Sequence, residues 1–355
     1  MLSLLATASA LALMPTVVHP TVQFLERPFD LSSPTVHPWS PYGYTFSLAL
    51  FALPMLVLID WLLKHPELTN ARRAVKIVMA IVLPTWVLLD VFLGLTFFEF
   101  PVPAATLAQT ACGGPFHFPG LELISGEAHS VFGSEFGGRS HEGFGWRWCI
   151  PVEEIGFYVT GIATILLSYV WASEAWLKQY TACDHCRAMS GDSGINWKAI
   201  WIAAALFAGA YAYKKLLAPA EFRDGFPGYF LFLLLSSLLP AMLCYHVVKR
   251  FVNWRAMTVS LLGLLLVSLL WEVTLALPQG WWSYEPTQMM GIMIKAWHGL
   301  PIEEPILWGA AAFINVMGYE FVRWLIAKKH RLRDLRLRHV AEGLPTPTLE
   351  ATASE

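Results

Sequence analysis

Charged residues are scarce in seven long, apolar blocks of this chain, and each block is long enough to cross a membrane. Only 14% of the residues are charged, whereas an average soluble domain has about 25%. Because the shortage falls in blocks, the sequence predicts an all-α, polytopic membrane helix bundle. The predicted spans cover residues 42–63, 76–98, 150–172, 197–214, 226–248, 256–277 and 301–326.

Basic residues collect between alternate pairs of spans and after the last span, which predicts the orientation of the bundle. Cytoplasmic loops carry an excess of lysine and arginine. We therefore expect the N-terminus outside and the C-terminus in the cytoplasm, in a cell inner membrane. Lys214 and Lys215, at the end of span 4, are the one pair of basic residues that does not fit this orientation. The residues that agree are Lys64, Arg72, Arg73, Lys76, Lys178, Arg187, Lys198, Lys249, Arg250, Arg255 and the basic residues of 328–338.

The two ends of the chain fall outside the predicted spans. The apolar stretch 2–18 contains Pro15, and no lysine or arginine precedes Arg27, so it lacks the charged start of a signal peptide. We interpret this stretch as an outer or interfacial arm, with a removed signal peptide or an extra span as the alternatives. The tail from Glu342 onward is predicted to be disordered.

The cysteines divide between the two sides of the predicted bundle. Cys112 and Cys149 lie in or near the outer 101–149 loop, where an oxidising compartment would allow a disulfide. Cys183 and Cys186 lie on the cytoplasmic side, with a spacing that suits a metal ion. Because no second pair of ligands is visible, the alternative is a reduced, solvated loop.

Two parts of the chain carry the same features in the same order, which predicts an internal duplication. Each feature alone is weak, because glycine and proline are common in membrane helices. The matching features are Gly43-Tyr44 with Gly228-Tyr229, Leu53-Pro54 with Leu239-Pro240, Asp90 with Glu272, and Glu153-Glu154 with Glu303-Glu304.

The duplication predicts a 3+1+3 arrangement of spans. A three-span unit ends on the opposite side of the membrane from its start, so two copies fused directly would run in opposite directions. Span 4 restores the direction, and both Glu-Glu pairs then lie at the outer face, related by an axis along the membrane normal. The predicted parts are an N-terminal arm (1–40), the first repeat (41–173), a cytoplasmic loop with the connecting span (174–220), the second repeat (221–327) and a basic, then disordered tail (328–355).

The motif Pro-x-Glu-Glu opens the third and the seventh span, at 151–154 and 301–304. Proline at the first helical position and acids in the first turn are also ordinary helix-start signals, which is the alternative explanation. An acid in the middle of a span costs about 2.5–3.5 kcal/mol, however, and such residues usually face the bundle interior. Neighbouring helix residues point about 100° apart. We therefore expect one glutamate of each pair to face a shared cavity and the other to orient it.

These acids and the aromatic residues near them suggest proton-transfer chemistry. A carboxylic acid in an apolar, water-poor cavity stays protonated near neutral pH and can donate its proton. Protonating an alkene also requires stabilisation of the carbocation, which aromatic faces supply, although an interfacial aromatic belt explains part of the set. The predicted catalytic residues are Glu153, Glu154, Glu303, Glu304, Asp90 and Glu272, and the predicted substrate-binding residues are Phe157, Tyr158, Trp271, Trp281, Trp282, Tyr284 and Trp308.

The sequence predicts no cofactor and no metal. No Gly-x-Gly-x-x-Gly follows a strand, and the histidines form no spaced cluster. Span 7 has no lysine before Lys328, which argues against a retinal Schiff base. Apart from the C-terminal end, no basic run is interleaved with aromatic residues, so nucleic acid is not an expected partner.

Over roughly residues 40–327 the chain resembles the membrane-integral lycopene cyclase family, in its two-subunit or fused form. The resemblance rests on the two Pro-x-Glu-Glu motifs and on Trp271-Glu272 followed by the 280–284 segment Gly-Trp-Trp-Ser-Tyr. It implies cofactor-independent cyclisation of a polyene end group, with acids protonating a terminal double bond of a substrate taken from the bilayer. Three features depart from the family pattern: the first half lacks a clear Gly-x-Trp after Asp90, the 101–149 loop is long, and the tail is unusually basic.

Two other functions are open at this point. A hydratase would use the same acids but let water capture the cation. A proton-coupled transporter or a polytopic receptor would use them as a proton relay without changing a lipid. Substrate length, ring type, the identity of the proton donor and the oligomeric state are also open.

Overall fold

The computed structural model describes residues 43–99, 151–189, 194 and 196–341. This part of the chain is mostly helical, and its strands are only two residues long. The predicted all-α class is therefore confirmed. The predictions for the N-terminal arm, for Cys112 and Cys149, and for the tail from Glu342 fall outside the described residues.

The first part of the chain folds into three long helices. Pro54 and Pro84 lie inside the first two of these. The third begins after Pro151, whose φ of −59° suits a helix start. The elements are α1 (Gly43–Ser47), α2 (Ala49–Lys64), α3 (Thr69–Phe97), β1 (Phe98–Glu99) and α4 (Val152–Trp171), which continues into a π-helical turn at Ala172–Trp176.

A short connection and one helix lead to the second part of the chain. Asn253 caps the helix α9 there, because its side chain accepts a hydrogen bond of 3.1 Å from the backbone N–H of Ala256. The elements are α5 (Asp184–Met189), α6 (Lys198–Leu216), α7 (Gly228–Leu233), a π-helical turn (Leu234–Leu238), α8 (Leu239–Val248), α9 (Trp254–Trp271), a second π-helical turn (Glu272–Ala276), β2 (Ser283–Tyr284), β3 (Met293–Ile294), β4 (Leu300–Pro301) and α10 (Glu303–Ala341).

Five helical segments among the described residues are long and apolar enough to cross a membrane. The predicted second and fourth spans fall within α3 and α6, which are helices but are not in this set. The total of seven spans therefore stays a prediction. The five segments are Gly43–Lys64, Glu153–Trp176, Gly228–Val248, Trp254–Ala276 and Glu303–Leu335.

The helices α4 and α10 pack against each other at the centre of the bundle. Helix α4 also contacts α2, α3 and α9, and α10 also contacts α8, α9 and α3. The most apolar windows of the spans containing α4 and α10 are 61% and 72% buried, against 11% for the span containing α2. Side chains at the starts of α4 and α10 therefore point into the interior of the protein.

Two short antiparallel ribbons lie beside the starts of these helices. Strand β1 pairs with β2, with Phe98 opposite Tyr284. Strand β3 pairs with β4, with Ile294 opposite Leu300, directly before α10. The first ribbon joins the end of α3 to the segment after α9, so it links the two parts of the chain near the acidic motifs.

Candidate acid site

The acidic residues from both parts of the chain meet at one small cavity inside the bundle. Glu154, Glu272 and Glu304 line the cavity, and Asp90 lies one side chain away from it. The cavity volume is about 20 Å³, which is room for about one water molecule. The other lining residues are Tyr44, Phe98, Phe157, Tyr158, Trp282 and Leu307.

A tyrosine binds the second glutamate of each Pro-x-Glu-Glu motif. The hydroxyl of Tyr44 donates a hydrogen bond of 2.5 Å to Glu154 Oε1. The hydroxyl of Tyr229 donates one of 3.0 Å to Glu304 Oε1. Both tyrosines belong to a Gly-Tyr pair at the start of a helix, so the same kind of contact is made twice with equivalent residues.

The other two acids are bound by aromatic residues of the central helices. The hydroxyl of Tyr158 donates to Asp90 Oδ1 over 3.3 Å, and the indole N–H of Trp308 donates to Glu272 Oε1 over 3.2 Å. Tyr158 and Trp308 each lie four residues, about one helical turn, after the cavity-facing glutamate of the same helix. One face of α4 and one face of α10 therefore each present an acid and an aromatic donor.

The first glutamate of each motif does not line the cavity. Glu153 accepts a hydrogen bond from the hydroxyl of Thr45. Glu303 accepts one of 2.5 Å from the backbone N–H of Met290. One glutamate of each pair thus faces the cavity, while the other binds the segment that packs over its helix start.

The carboxyl groups of Glu272 and Glu304 lie within hydrogen-bonding reach of each other. Ionised carboxylates only accept hydrogen bonds, so such a bond forms when one of the two groups carries a proton. Asp90 and Glu154 interact through their charges.

These four acids are buried, with exposed fractions between 1% for Glu272 and 7% for Glu154. Within the described part of the chain, no lysine or arginine forms an ion pair with any of the four. A buried carboxylate without a cationic partner is costly. A proton on such an acid removes this cost.

The predicted substrate-binding residues form one aromatic cluster around the acids. Phe157 stacks on Trp271, with ring centres 5.4 Å apart, and meets Trp308 edge-on at 5.3 Å. Tyr44 stacks on Trp281 at 5.7 Å and lies 5.4 Å from Trp282. Phe157, Tyr158 and Trp282 line the cavity directly, whereas Trp271, Trp281, Tyr284 and Trp308 stand behind them.

Tyr284 connects this cluster to the first ribbon. Its hydroxyl accepts a hydrogen bond of 3.2 Å from the indole N–H of Trp282, and its ring lies 5.8 Å from that of Phe98. Burial, together with the charges of Glu304 and Glu272, raises the pKa of Tyr284 well above its ordinary value. Tyr284 therefore stays neutral and positions Trp282 against the cavity.

The segment after β2 packs tightly across the start of α7. The backbone N–H of Tyr229 donates to the carbonyl of Gln288 over 3.2 Å, and Lys214 Nζ donates to the carbonyl of Met289 over 2.6 Å. A Cβ at Gly228 would lie 2.2 Å from Gln288 Oε1, so a larger residue there would force the Gln288 side chain to move. The close packing holds Tyr229 in place beside Glu304.

Sequence reasoning did not assign Tyr44 and Tyr229 to the site. Their Gly-Tyr pairs marked the duplication, but no pattern in the sequence placed their hydroxyls on the glutamates. Phe98 and Leu307, which line the cavity, were also missed. Ordinary apolar residues in a span carry no signal that separates a cavity wall from general core packing.

The described residues offer no metal site. No group of three or more histidine, cysteine or acidic side chains among them is arranged to hold a metal ion. Cys183 and Cys186 are joined by a disulfide, so neither a metal pair nor a reduced loop describes them in this structure. Their Cα atoms lie 5.2 Å apart, which is within the range that a disulfide can bridge.

Comparisons with protein-family models, with curated proteins and with solved structures found no match to this chain.

Proposed function

We propose that the protein is an integral membrane cyclase that protonates a terminal alkene of a carotenoid or another isoprenoid polyene and so forms a ring, as a lycopene cyclase does. The observation that carries this proposal is the group of buried acids, without cationic partners, that meets at one cavity within an aromatic cluster. Such a site combines a proton donor with groups that stabilise a carbocation. The substrate would come from the bilayer.

The proposal includes the internal duplication and the seven-span arrangement. It is supported by the two tyrosine–glutamate pairs, Tyr44 with Glu154 and Tyr229 with Glu304. The helix packing also supports it, because α4 and α10 have equivalent sets of neighbours. Two related halves would then face each other across one cavity, with the N-terminus outside and the C-terminus in the cytoplasm of an inner membrane.

The proposed reaction is an isomerisation in which one proton is added to the substrate and one is removed. The Glu272–Glu304 pair gives its shared proton to the terminal alkene, which leaves a tertiary carbocation. The π electrons of a second alkene in the same chain attack this cation, and the new carbon–carbon bond closes the ring. Glu154, which lines the cavity, then removes a proton from the ring cation. The net composition of the substrate does not change.

Glu272 and Glu304 are better suited to donate than the acids of the first half. A hydrogen bond between two carboxyl groups requires a proton on one of them, and Glu272 and Glu304 lie within reach of such a bond. All four acids accept a hydrogen bond from an aromatic donor, so those bonds do not separate the two roles.

The aromatic cluster supplies the remaining part of the chemistry. The faces of Phe157 and Trp282 border the cavity, and aromatic faces attract cations within about 6 Å of the ring centre. Trp271 and Trp308 pack behind Phe157 and hold its ring in position. A cation that forms between the two halves would therefore be surrounded by π faces and shielded from water.

The cavity of about 20 Å³ is much smaller than the 300–1,000 Å³ of typical ligand pockets. We infer that the structure represents a closed site and that side chains or helices move apart to admit the substrate. Closure around the reacting group would exclude water from the carbocation.

Replacement of each acid tests the proposal. The chain would be expressed in cells that accumulate linear polyenes, with Glu154→Gln, Glu272→Gln and Glu304→Gln as variants and the exposed Glu67→Gln as the matched control. We expect ring formation in the wild type and the control, and a loss of about 100-fold or more in each site variant. Full ring formation in all three variants, or no ring from any polyene in the wild type, would refute the proposal.

A hydratase is the second candidate function, because the cavity has room for about one water molecule. Water would capture the cation in place of the second alkene. The product mass discriminates, since hydration adds one water and cyclisation leaves the mass unchanged. A transporter or receptor predicts pH-dependent flux or ligand binding with no altered lipid.

A further inference from the structure

A second cluster of charged side chains lies far from the acid site. We call the residues Glu174, Asp184, Arg187, Glu320 and Arg323 the ion cluster. Glu320 follows Glu304 by 16 residues on α10, which is about 24 Å along a helix. The ion cluster therefore stands apart from the residues of the proposed reaction.

The ion cluster attaches the short helix α5 to α10. Arg187 Nη2 lies 2.5 Å from Glu320 Oε2, and both side chains are almost completely buried. Arg323 Nη2 lies 2.6 Å from Asp184 Oδ1. Arg323 also pairs with Glu174, at the π-helical turn after α4. Two residues of α5 are thus bound by two residues one turn apart on α10.

Other helices support this attachment. Asn70 of α3 donates a hydrogen bond of 2.9 Å to Asp184 Oδ2. Tyr169 of α4 donates one of 2.7 Å to Glu320, and its hydroxyl accepts one from the backbone N–H of Asn253. Burial alone would raise the pKa of Asp184, but Arg323, Asn70 and Arg187 outweigh it and hold that pKa below its ordinary value.

Cys183 and Cys186 enclose part of this attachment. They form a disulfide around Asp184, and Arg187 follows directly. Both cysteines are exposed, so a soluble reductant can reach them. The backbone N–H of Cys186 also donates to Cys183 Sγ over 3.0 Å, a contact that would favour a thiolate if the bond opened.

We propose that Cys183 and Cys186 form a thiol–disulfide exchange site whose redox state sets how firmly α5 is attached to α10. The reductant is a dithiol, either a small molecule or a protein. Its two thiols give two electrons and two protons to the Cys183–Cys186 disulfide, which opens to two thiols, while the reductant becomes a disulfide. A disulfide-bearing oxidant reverses the reaction.

A role as a structural staple is less consistent with this position. The stabilisation given by a disulfide rises with the length of the loop it closes, and this loop has a sequence separation of only 3. The exposure of both cysteines also supports a reactive role, because thiol–disulfide exchange is faster where the attacking thiol can reach the disulfide. What the short loop does fix is the backbone on both sides of Asp184. Opening the loop would release the residues that pair with Arg323 and Glu320.

The test uses the purified full chain in detergent, with and without dithiothreitol. Alkylation with peptide mapping would show whether Cys183 and Cys186 are free thiols. Amide hydrogen exchange would measure how firmly α5 is attached to α10. Without reductant, we expect Cys183 and Cys186 to resist alkylation. With reductant, both should be labelled, and amide exchange in residues 183–189 should rise about tenfold. Exchange at the start of α10 serves as the internal reference and should not change.

Two variants separate redox control from loss of an ion pair. Cys183→Ser with Cys186→Ser should show the fast exchange without reductant and no response to it. Asp184→Asn keeps the disulfide but removes the charge that pairs with Arg323. Amide exchange in residues 183–189 should therefore be fast in both redox states. Alkylation of both cysteines before any reduction, or unchanged exchange in the wild type after complete reduction, would overturn the proposal. The wild-type comparison remains decisive if either variant fails to fold.

Discussion

The cavity-facing acids depend on single aromatic donors. Each of Asp90, Glu154, Glu272 and Glu304 accepts a hydrogen bond from one tyrosine hydroxyl or one indole N–H. A buried polar atom that loses its partner costs about 1–3 kcal/mol. These donors therefore fix the position of each acid and also influence whether it holds a proton.

Removing the hydroxyl of Tyr44 should impair the reaction more than the fold. In Tyr44→Phe the ring still stacks on Trp281, but Glu154 loses the 2.5 Å hydrogen bond that favours its carboxylate form. We expect product formation to fall by about 10–100-fold, with a small decrease in melting temperature. Tyr211→Phe, at an exposed position on α6, is the matched control. Equal activity of both variants would remove Tyr44 from the site.

At the level of elements, the predicted spans agree with the helices to within a few residues, with two large exceptions. Helix α3 begins at Thr69, whereas the predicted span began at 76. Pro151 fixed the start of α4, predicted at 150 and found at Val152. Helix α10 runs to Ala341, whereas the predicted span ended at 326. The prediction followed the apolar stretch, which stops where the basic residues begin. A helix can continue through charged residues in water, because its backbone hydrogen bonds do not require apolar side chains.

Other elements could not be predicted from local sequence. The π-helical turn at Glu272–Ala276 and the two ribbons depend on contacts between distant parts of the chain. The six candidate acids were selected because acids are unusual in a span, and the seven aromatic residues because they lie near those acids in the sequence. The hydrogen bond between Trp308 and Glu272 could not be predicted, since it depends on how α10 packs against the end of α9.

Breaking the buried ion pair between α5 and α10 should destabilise the protein strongly. Glu320→Gln removes the buried negative charge 2.5 Å from the guanidinium of Arg187, and breaking a buried ion pair costs about 3–5 kcal/mol. The control is Asp60→Asn, which removes an exposed ion pair with Lys64 and should change stability by less than about 1 kcal/mol. Chemical unfolding in detergent measures both. Equal stabilities would show that the ion cluster contributes little.

For the whole molecule, the arrangement explains why one chain would carry two copies of the same motif. Each half brings a central helix with a cavity-facing glutamate, and neither half alone encloses the cavity. In the proposed reaction the two parts take different roles, because Glu272 and Glu304 would share the proton that is donated and Glu154 would accept the proton that is removed. Duplication followed by divergence would give a donor and an acceptor across one apolar space.

The most direct test of this account is the isotopic mass of the product made in deuterated water. Membranes containing the wild-type chain would be supplied with a linear polyene, and the extracted lipid analysed by mass spectrometry. A proton that comes from exchangeable carboxyl groups predicts a cyclic isomer with one deuterium for each ring formed, and no such product from Glu304→Gln. A ring without deuterium, or an unchanged polyene, would contradict the central claim.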